Sequence, residues 1–308
     1  MLKEILRLAF TYSAFASTVR LSCPLLFGSM GGCFNSASGC ANLSYEAVML
    51  YSCFFSILGS YYTGSPWVGL LCGMGIGILI SIVFGLMSLV FHSNMIIAAV
   101  ALNSTAWAVT TLLMVIIFGV RGTVYDDRIV SFKPIHFTWM EKIPVINRIF
   151  NDNVILVYIA LFLVIVSYIV MYHTPFGLRI RGIGQNEKAA QTAGVDVNKY
   201  RWISLLLMGA FTGISGTFLT LSGISMFVEN MPAGKGFLTM ISITIGRGNP
   251  FLIFLICLLF GYSQALVLVL GTLSVPTQII SMIPYLAVIL VLFIDGIKKF
   301  KGVADIES

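Results

Sequence analysis

Few side chains in this 308-residue sequence could do chemistry, because only 10% of its residues are charged and 58% are hydrophobic. Four charges fall within or beside long apolar stretches: Arg20, Glu46, Glu229 and Lys235. A charge at the centre of a membrane helix costs about 2.5–3.5 kcal/mol on insertion scales, so each needs a reason to be there. Arg20 either lines a polar pathway or snorkels to a neighbouring carboxylate. Glu46 either lines a cavity and orients the stretch before it, or interacts with the positive end of its own helix. Glu229 and Lys235 flank a short polar turn, which is either a gate or a solvated loop.

The catalytic patterns are missing. Lys235 follows a glycine, but Gly236 stands where a phosphate loop needs a hydroxyl to reach magnesium. The chain is therefore expected not to hydrolyse ATP itself. It has no G-x-S-x-G elbow and no H-E-x-x-H pair. Its cysteines, Cys23, Cys33, Cys40, Cys53, Cys72 and Cys257, form no C-x-x-C pair, and His92, His136 and His173 are scattered. The reading is a non-enzyme with no metal and no cofactor.

The best motif candidate is the polar stretch 184–194. Asn186 can cap a helix, Glu187 suits its positive end, and Ala189, Ala190 and Ala193 favour helix. Gly194 can end it in the left-handed conformation. This spacing predicts a short, small-faced surface helix over 186–194, which includes Lys188. It is either an ordinary loop helix or a knob for a partner's groove.

The elements that hold these residues are apolar runs. A spanning helix needs about 20 mostly apolar residues. Runs at 8–27, 43–63, 67–91, 95–119, 153–173, 202–223, 250–271 and 276–295 meet this, and a shorter one covers 237–246. Backbone in hydrocarbon must bond to itself, so these are helices rather than strands. The fold class is all-α, a polytopic transmembrane bundle of about 8–10 spans including short or re-entrant segments. Residues 1–308 form one domain. Its surface faces lipid rather than water, since a soluble domain carries about a quarter charged residues. The net charge of +6 is read as topology and not as nucleic-acid binding, because basic residues sit at the ends of apolar runs. The first run is read as retained, since no cleavage site follows it.

Basic residues place the ends. Arg179, Arg181, Lys188, Lys199 and Arg201 put the connector 174–201 in the cytoplasm, and Lys298, Lys299 and Lys301 put the tail there. The charge-balanced segment 121–152 lies outside. Parity then requires 237–246, extended backwards, to cross as well, which leaves Arg247 on the cytoplasmic side. Lys3 and Arg7 favour a cytoplasmic start. Stretch 28–42, with Gly28, Gly31, Gly32 and Gly39, would then return as a broken or re-entrant segment. Asn, Ser and Thr within the runs either join helices or line a conduit. Gly209, Gly213 and Gly216 recur at a spacing that favours close helix packing.

The sequence resembles the permease subunits of ABC importers in the branched-chain amino acid, ribose and nucleoside group. The likeness runs from about Pro24 to about Gln264. It is carried by Thr174-Pro175-Phe176-Gly177-Leu178-Arg179-Ile180-Arg181-Gly182-Ile183-Gly184-Gln185-Asn186 and the following Ala189-Ala190 to Ala193-Gly194-Val195. Glu229-Asn230-Met231-Pro232-Ala233-Gly234-Lys235-Gly236-Phe237 leans towards nucleoside permeases. Gly246-Arg247-Gly248-Asn249-Pro250, Thr63-Gly64-Ser65-Pro66-Trp67, Ser38-Gly39, Asn42 and Glu46 are also similar. Departures are Ser44 and Ala47 where the family has glycines, Met95 after Asn94 where it has glutamine, and Lys235 where it has arginine.

The resemblance implies an alternating-access permease subunit with a nucleoside as cargo, and with simple sugars or branched-chain amino acids as the alternative. It implies a second permease subunit (usually a heterodimer), a cytoplasmic ABC ATPase, and an external substrate-binding protein or lipoprotein. Asn186, Glu187, Lys188, Ala189, Ala190, Ala193 and Gly194 would form the helix that couples to the ATPase. Asn42, Glu46, Asn94, Asn103, Glu229 and Asn230 are candidates for the translocation path. A secondary transporter is the competing class, and it would need a buried carboxylate such as Glu46 to bind a coupling ion.

Overall fold

A computed structural model describes residues 12–136 and 151–271, together with Met282, Leu286, Ile289 and Phe293. The expected helix 276–295, the tail lysines and Lys3 and Arg7 lie outside the described residues, except for those four positions.

The described chain is a helical bundle with two small β pairs. Its long elements are α1 (Tyr12–Ala37), α2 (Tyr45–Thr63), α3 (Pro66–Gly85, continued by a π-helical turn Leu86–Val90) and α4 (Met95–Phe118). After the strands β1 (Thr123–Tyr125), β2 (Pro134–Ile135) and β3 (Asn153–Val154) come α5 (Ile155–His173), α6 (Pro175–Gln185) and α7 (Glu187–Thr192). Then follow α8 (Val197–Leu221), β4 (Met226–Val228), α9 (Lys235–Ile245) and α10 (Pro250–Leu270). Five described stretches are long and apolar enough to cross a membrane: Pro66–Val90, Met95–Phe118, Ile155–His173, Val197–Leu221 and Pro250–Val269. This is a multi-pass membrane protein.

Burial sorts the helices. The α8 span is 61% buried and the α4 span only 22%, so α8 is central and α4 peripheral. Helix α1 packs on α8, α10, α9 and α5, and α2 fills the space between α3 and α8. Leu71 and Leu79 of α3, Phe162 and Ile165 of α5, and Leu255 and Leu268 of α10 point outward, as lipid-facing side chains should. The interior is small and hydroxylated. Ser56 and Thr220 bond across helices at 2.8 Å, and Ser215 Oγ donates to the Pro24 carbonyl at 2.6 Å. Helices α3 and α8 cross where Gly73 and Gly77 meet Gly213 and Gly209. A Cβ on Gly213 would lie 2.6 Å from the Gly73 carbonyl oxygen. That is the close packing expected from the Gly209 and Gly213 spacing.

The ends of the bundle are set by contacts. At one end Arg20 meets Asn153 and β2 pairs with β3. Strand β1 pairs antiparallel with β4, matching Thr123 to Val228. At the other end Ala37 lies against Gly184. Helix α1 therefore begins at the β end and finishes at the end bearing the 174–201 connector.

This corrects the expectation of a broken or re-entrant 28–42. The helix runs without interruption through Gly28, Gly31 and Gly32 to Ala37. These glycines serve close approach. A Cβ on Gly31 would lie 3.0 Å from Met208 Cα, and one on Gly32 would lie 2.6 Å from Tyr45 Oη. Because α1 descends from the β end, α2 can ascend from the connector side and no returning segment is needed. The non-helical link shrinks to 38–44.

The 237–246 run does need its backward extension. Helix α9 has 11 residues, about 16 Å at 1.5 Å per residue, which is half of a roughly 30 Å hydrocarbon core. It cannot cross alone. The stretch before it is a tight turn, with positive φ at Asn230 (57°), Ala233 (47°) and Gly234 (87°). Arg247, just beyond α9, borders a cleft with Arg181, Gly184 and Gln185, so the run does end at the connector end.

Candidate functional site

At the connector, Asn186 caps α7, its side-chain oxygen accepting from Ala189 N at 3.1 Å. Gly194 closes it at φ +79°. The Glu187 carboxylate takes both guanidinium nitrogens of Arg201, at 2.8 and 3.1 Å. Lys188, Ala189, Thr192 and Ala193 are exposed. Ala190 is not part of that outer face. It is buried with Ile183 and Val197, beside Val195 and Tyr200, and anchors α7 to α6 and α8.

The connector is fastened to the end of α1. A Cβ on Gly184 would overlap the Ala37 carbonyl. Arg201 Nε donates to the Ser38 carbonyl at 3.4 Å, and Ser204 Oγ to Ser38 Oγ at 3.1 Å. Arg201 thus touches both Glu187 of α7 and the 38–44 link.

That link leads to Glu46. Its Oε1 accepts from Gly234 N at 2.8 Å and its Oε2 from Gly236 N at 2.7 Å. The carboxylate of α2 therefore caps the first turn of α9, where unpaired N–H groups carry the positive end of the helix dipole. Gly236 has to be glycine, because a Cβ there would lie 2.6 Å from Glu46 Cα. Asn103 of α4 braces the same place. Its Oδ1 accepts from Ala47 N at 2.9 Å and its Nδ2 donates to the Leu43 carbonyl at 3.2 Å. Asn42 is buried and its Oδ1 accepts from Ser44 N, forming the bend that starts α2.

Further along α4, Glu229 Oε1 accepts from Trp107 Nε1 and Thr111 Oγ1, both at 3.1 Å. Asn103, Trp107 and Thr111 lie four residues apart and share one face. With Glu229 and the exposed Ser104 and Asn230 they form a polar stripe on the least-buried span. The sequence reading missed Trp107, Thr111 and Arg201. The four-residue spacing was the available signal for the first two.

The remaining candidates are spread out. Asn94 is the exposed N-cap of α4, accepting from Ile96 N at 2.9 Å. It stands about 14 Å along the helix from Asn103 and does not join the stripe. Lys235 Nζ donates to the Pro232 carbonyl at 3.3 Å, within its own turn. Arg20 donates to Asn153 Oδ1 at 2.6 Å and to the Asp152 carbonyl at 3.2 Å, so it meets an amide and a backbone oxygen rather than a carboxylate. It borders a cavity of about 320 Å³ at the β end.

A family model described as the branched-chain amino acid transport system / permease component matches residues 14–292. The chain is 30% identical over 288 residues to the guanosine ABC transporter permease protein NupQ of Bacillus subtilis, covering 90% of this chain and 89% of that one. It is also 30% identical to the nucleoside ABC transporter permease protein NupC of Lactococcus lactis, covering 90% of each. Among solved structures, PsaBC from Streptococcus pneumoniae in complex with Fab superposes with a TM-score of 0.54 at 15% identity, covering 96% of both chains. That likeness is one of fold alone.

Proposed function

The chain belongs to the permease-component family of the branched-chain amino acid transport system, and on that premise we propose that it is the membrane-spanning half-channel of an ATP-driven nucleoside importer. The observation that carries the mechanism is the continuous line of contacts from α7 through Arg201 and Ser38 to Glu46 and α9.

In this reading the 174–201 connector lies in the cytoplasm and the exposed face of α7 seats in a groove of a separate ABC ATPase. ATP binding and hydrolysis on that partner displace α7. The bidentate Glu187–Arg201 pair is a geometrically specific contact and passes the displacement to the end of α1 and the 38–44 link. Glu46 is rigidly joined to α9, so the half-helix and its turn move with α2. Helix groups that shift as packed units open the path to one side and then the other. A second permease subunit supplies the other wall, facing the polar stripe on α4. An external binding protein or lipoprotein delivers the cargo at the β end. A nucleoside requires hydrogen bonds, which fits a path of Asn, Ser, Thr and Trp with the Glu229 carboxylate beside them. Nucleosides are also the cargo in the names of the relatives NupQ and NupC.

An ion-coupled carrier is less well supported at Glu46, where backbone N–H groups occupy both oxygens. The coupling role is tested by Ala189→Trp, which puts bulk on the exposed face of α7 without entering its buried side. The assembled complex should reach the membrane at the wild-type level yet lose at least about 90% of nucleoside uptake, since a displaced docking contact disconnects the two machines. Unchanged uptake would remove α7 from the coupling path.

A further inference from the structure

Resting on the nucleoside-importer reading, we infer that Trp107 and Glu229 form a base-recognition site within the path, selective for a nucleobase that presents adjacent N–H donors, as guanine does.

Trp107 stands at the middle of the 24-residue α4, and Glu229 reaches it from the end of β4, where its own N–H donates to the Gly122 carbonyl at 2.8 Å. Its indole is 55% exposed. Glu229 is half-buried beside it and forms no ion pair with a described residue. An ionisable side chain laid against a membrane-crossing helix faces a water-filled cavity or another protein, not lipid. Ser104, one turn before Trp107 on the same face of α4, is polar and exposed.

The two carboxylate oxygens differ. Oε1 holds the Trp107 and Thr111 donors, which fixes the carboxylate against α4. Oε2 accepts no hydrogen bond from a described residue. An ionised carboxylate is an acceptor only, with two lone pairs on each oxygen. Oε2 can therefore take both the N1–H and the N2 amino group of guanine. Adenine presents one amino group next to the bare N1 lone pair, which the carboxylate repels. Indole supplies a face on which any base stacks, worth about 1–3 kcal/mol per base and indifferent to its identity. Stacking by Trp107 thus gives affinity, and Glu229 gives choice.

The test uses the whole complex in proteoliposomes, with maximal uptake of radiolabelled guanosine and adenosine measured while the external protein is saturated with each in turn. Glu229→Gln keeps an oxygen for Trp107 and Thr111 and turns an amide NH₂ towards the path, where it matches adenine N1. The guanosine-to-adenosine ratio should fall at least about tenfold, as loss of a charge-assisted hydrogen bond implies. Trp107→Ala should lower uptake of both nucleosides by roughly fivefold or more. A ratio unchanged in Glu229→Gln, or an equal loss of both substrates, would overturn the inference and mark the pair as structural or as a contact of the second permease. A wild-type complex that moves neither nucleoside would instead overturn the importer reading on which the inference rests.

Discussion

Glu46 joins two helices through backbone N–H groups, at 2.8 Å from Gly234 and 2.7 Å from Gly236. A hydrogen bond to a charged group contributes about 1.5–3 kcal/mol, and deleting the acceptor strands two buried donors. Glu46→Ala should therefore lower the melting temperature of the detergent-solubilised protein by several degrees, and Glu46→Gln, which keeps one acceptor oxygen, should lose less. Equal melting of all three proteins would show that α9 is held by packing alone. The sequence marks Glu46 because a charge beside an apolar run is conspicuous. It does not reveal the partner, since the receiving groups are featureless backbone amides nearly two hundred residues away. Ala190 shows the opposite limit. A small residue in a polar helix reads as surface until Ile183 and Val197 are found beneath it.

Among the elements, length and apolarity identify α3, α4, α5, α8 and α10, because hydrocarbon thickness dictates both. Glycine was harder to read. In a lone sequence it fits a broken helix or a tight helix crossing equally well, and only the neighbours decide. Gly31 and Gly32 lie within α1 against α8 and α2, whereas Gly39, at φ +78°, opens the link between α1 and α2. The same distinction within α3 yields a paired prediction. A Cβ on Gly77 would strike the Gly209 carbonyl, while Gly75 opens to empty space. Gly77→Val should force α3 from α8 at a cost of at least 1–3 kcal/mol, seen as a lower melting temperature and a reduced folded yield. Gly75→Val should match the wild type. If both variants behave alike, the α3–α8 crossing is not the close contact described. Helix α9 is too short to cross by itself, and the irregular turn before it has no hydropathy signal, only Asn, Pro and Gly.

For the whole molecule, the polar features fall along one line. The connector, the end of α1, Glu46 with α9, and the α4 stripe run from the connector end of the bundle to the Trp107–Glu229 pair. The line's two ends, an exposed α7 and an exposed carboxylate–indole pair, are suited to a motor and a cargo that this chain does not contain. The family and the all-α membrane architecture were legible from composition and motif. The line was not, because each of its links joins residues far apart in sequence. The most direct measurement is uptake of radiolabelled guanosine by proteoliposomes holding this chain with its second permease, its ATPase and its external binding protein. Uptake should require hydrolysable ATP on the connector side and persist after ionophores collapse every ion gradient. Uptake that follows an ion gradient and proceeds without ATP would contradict the account.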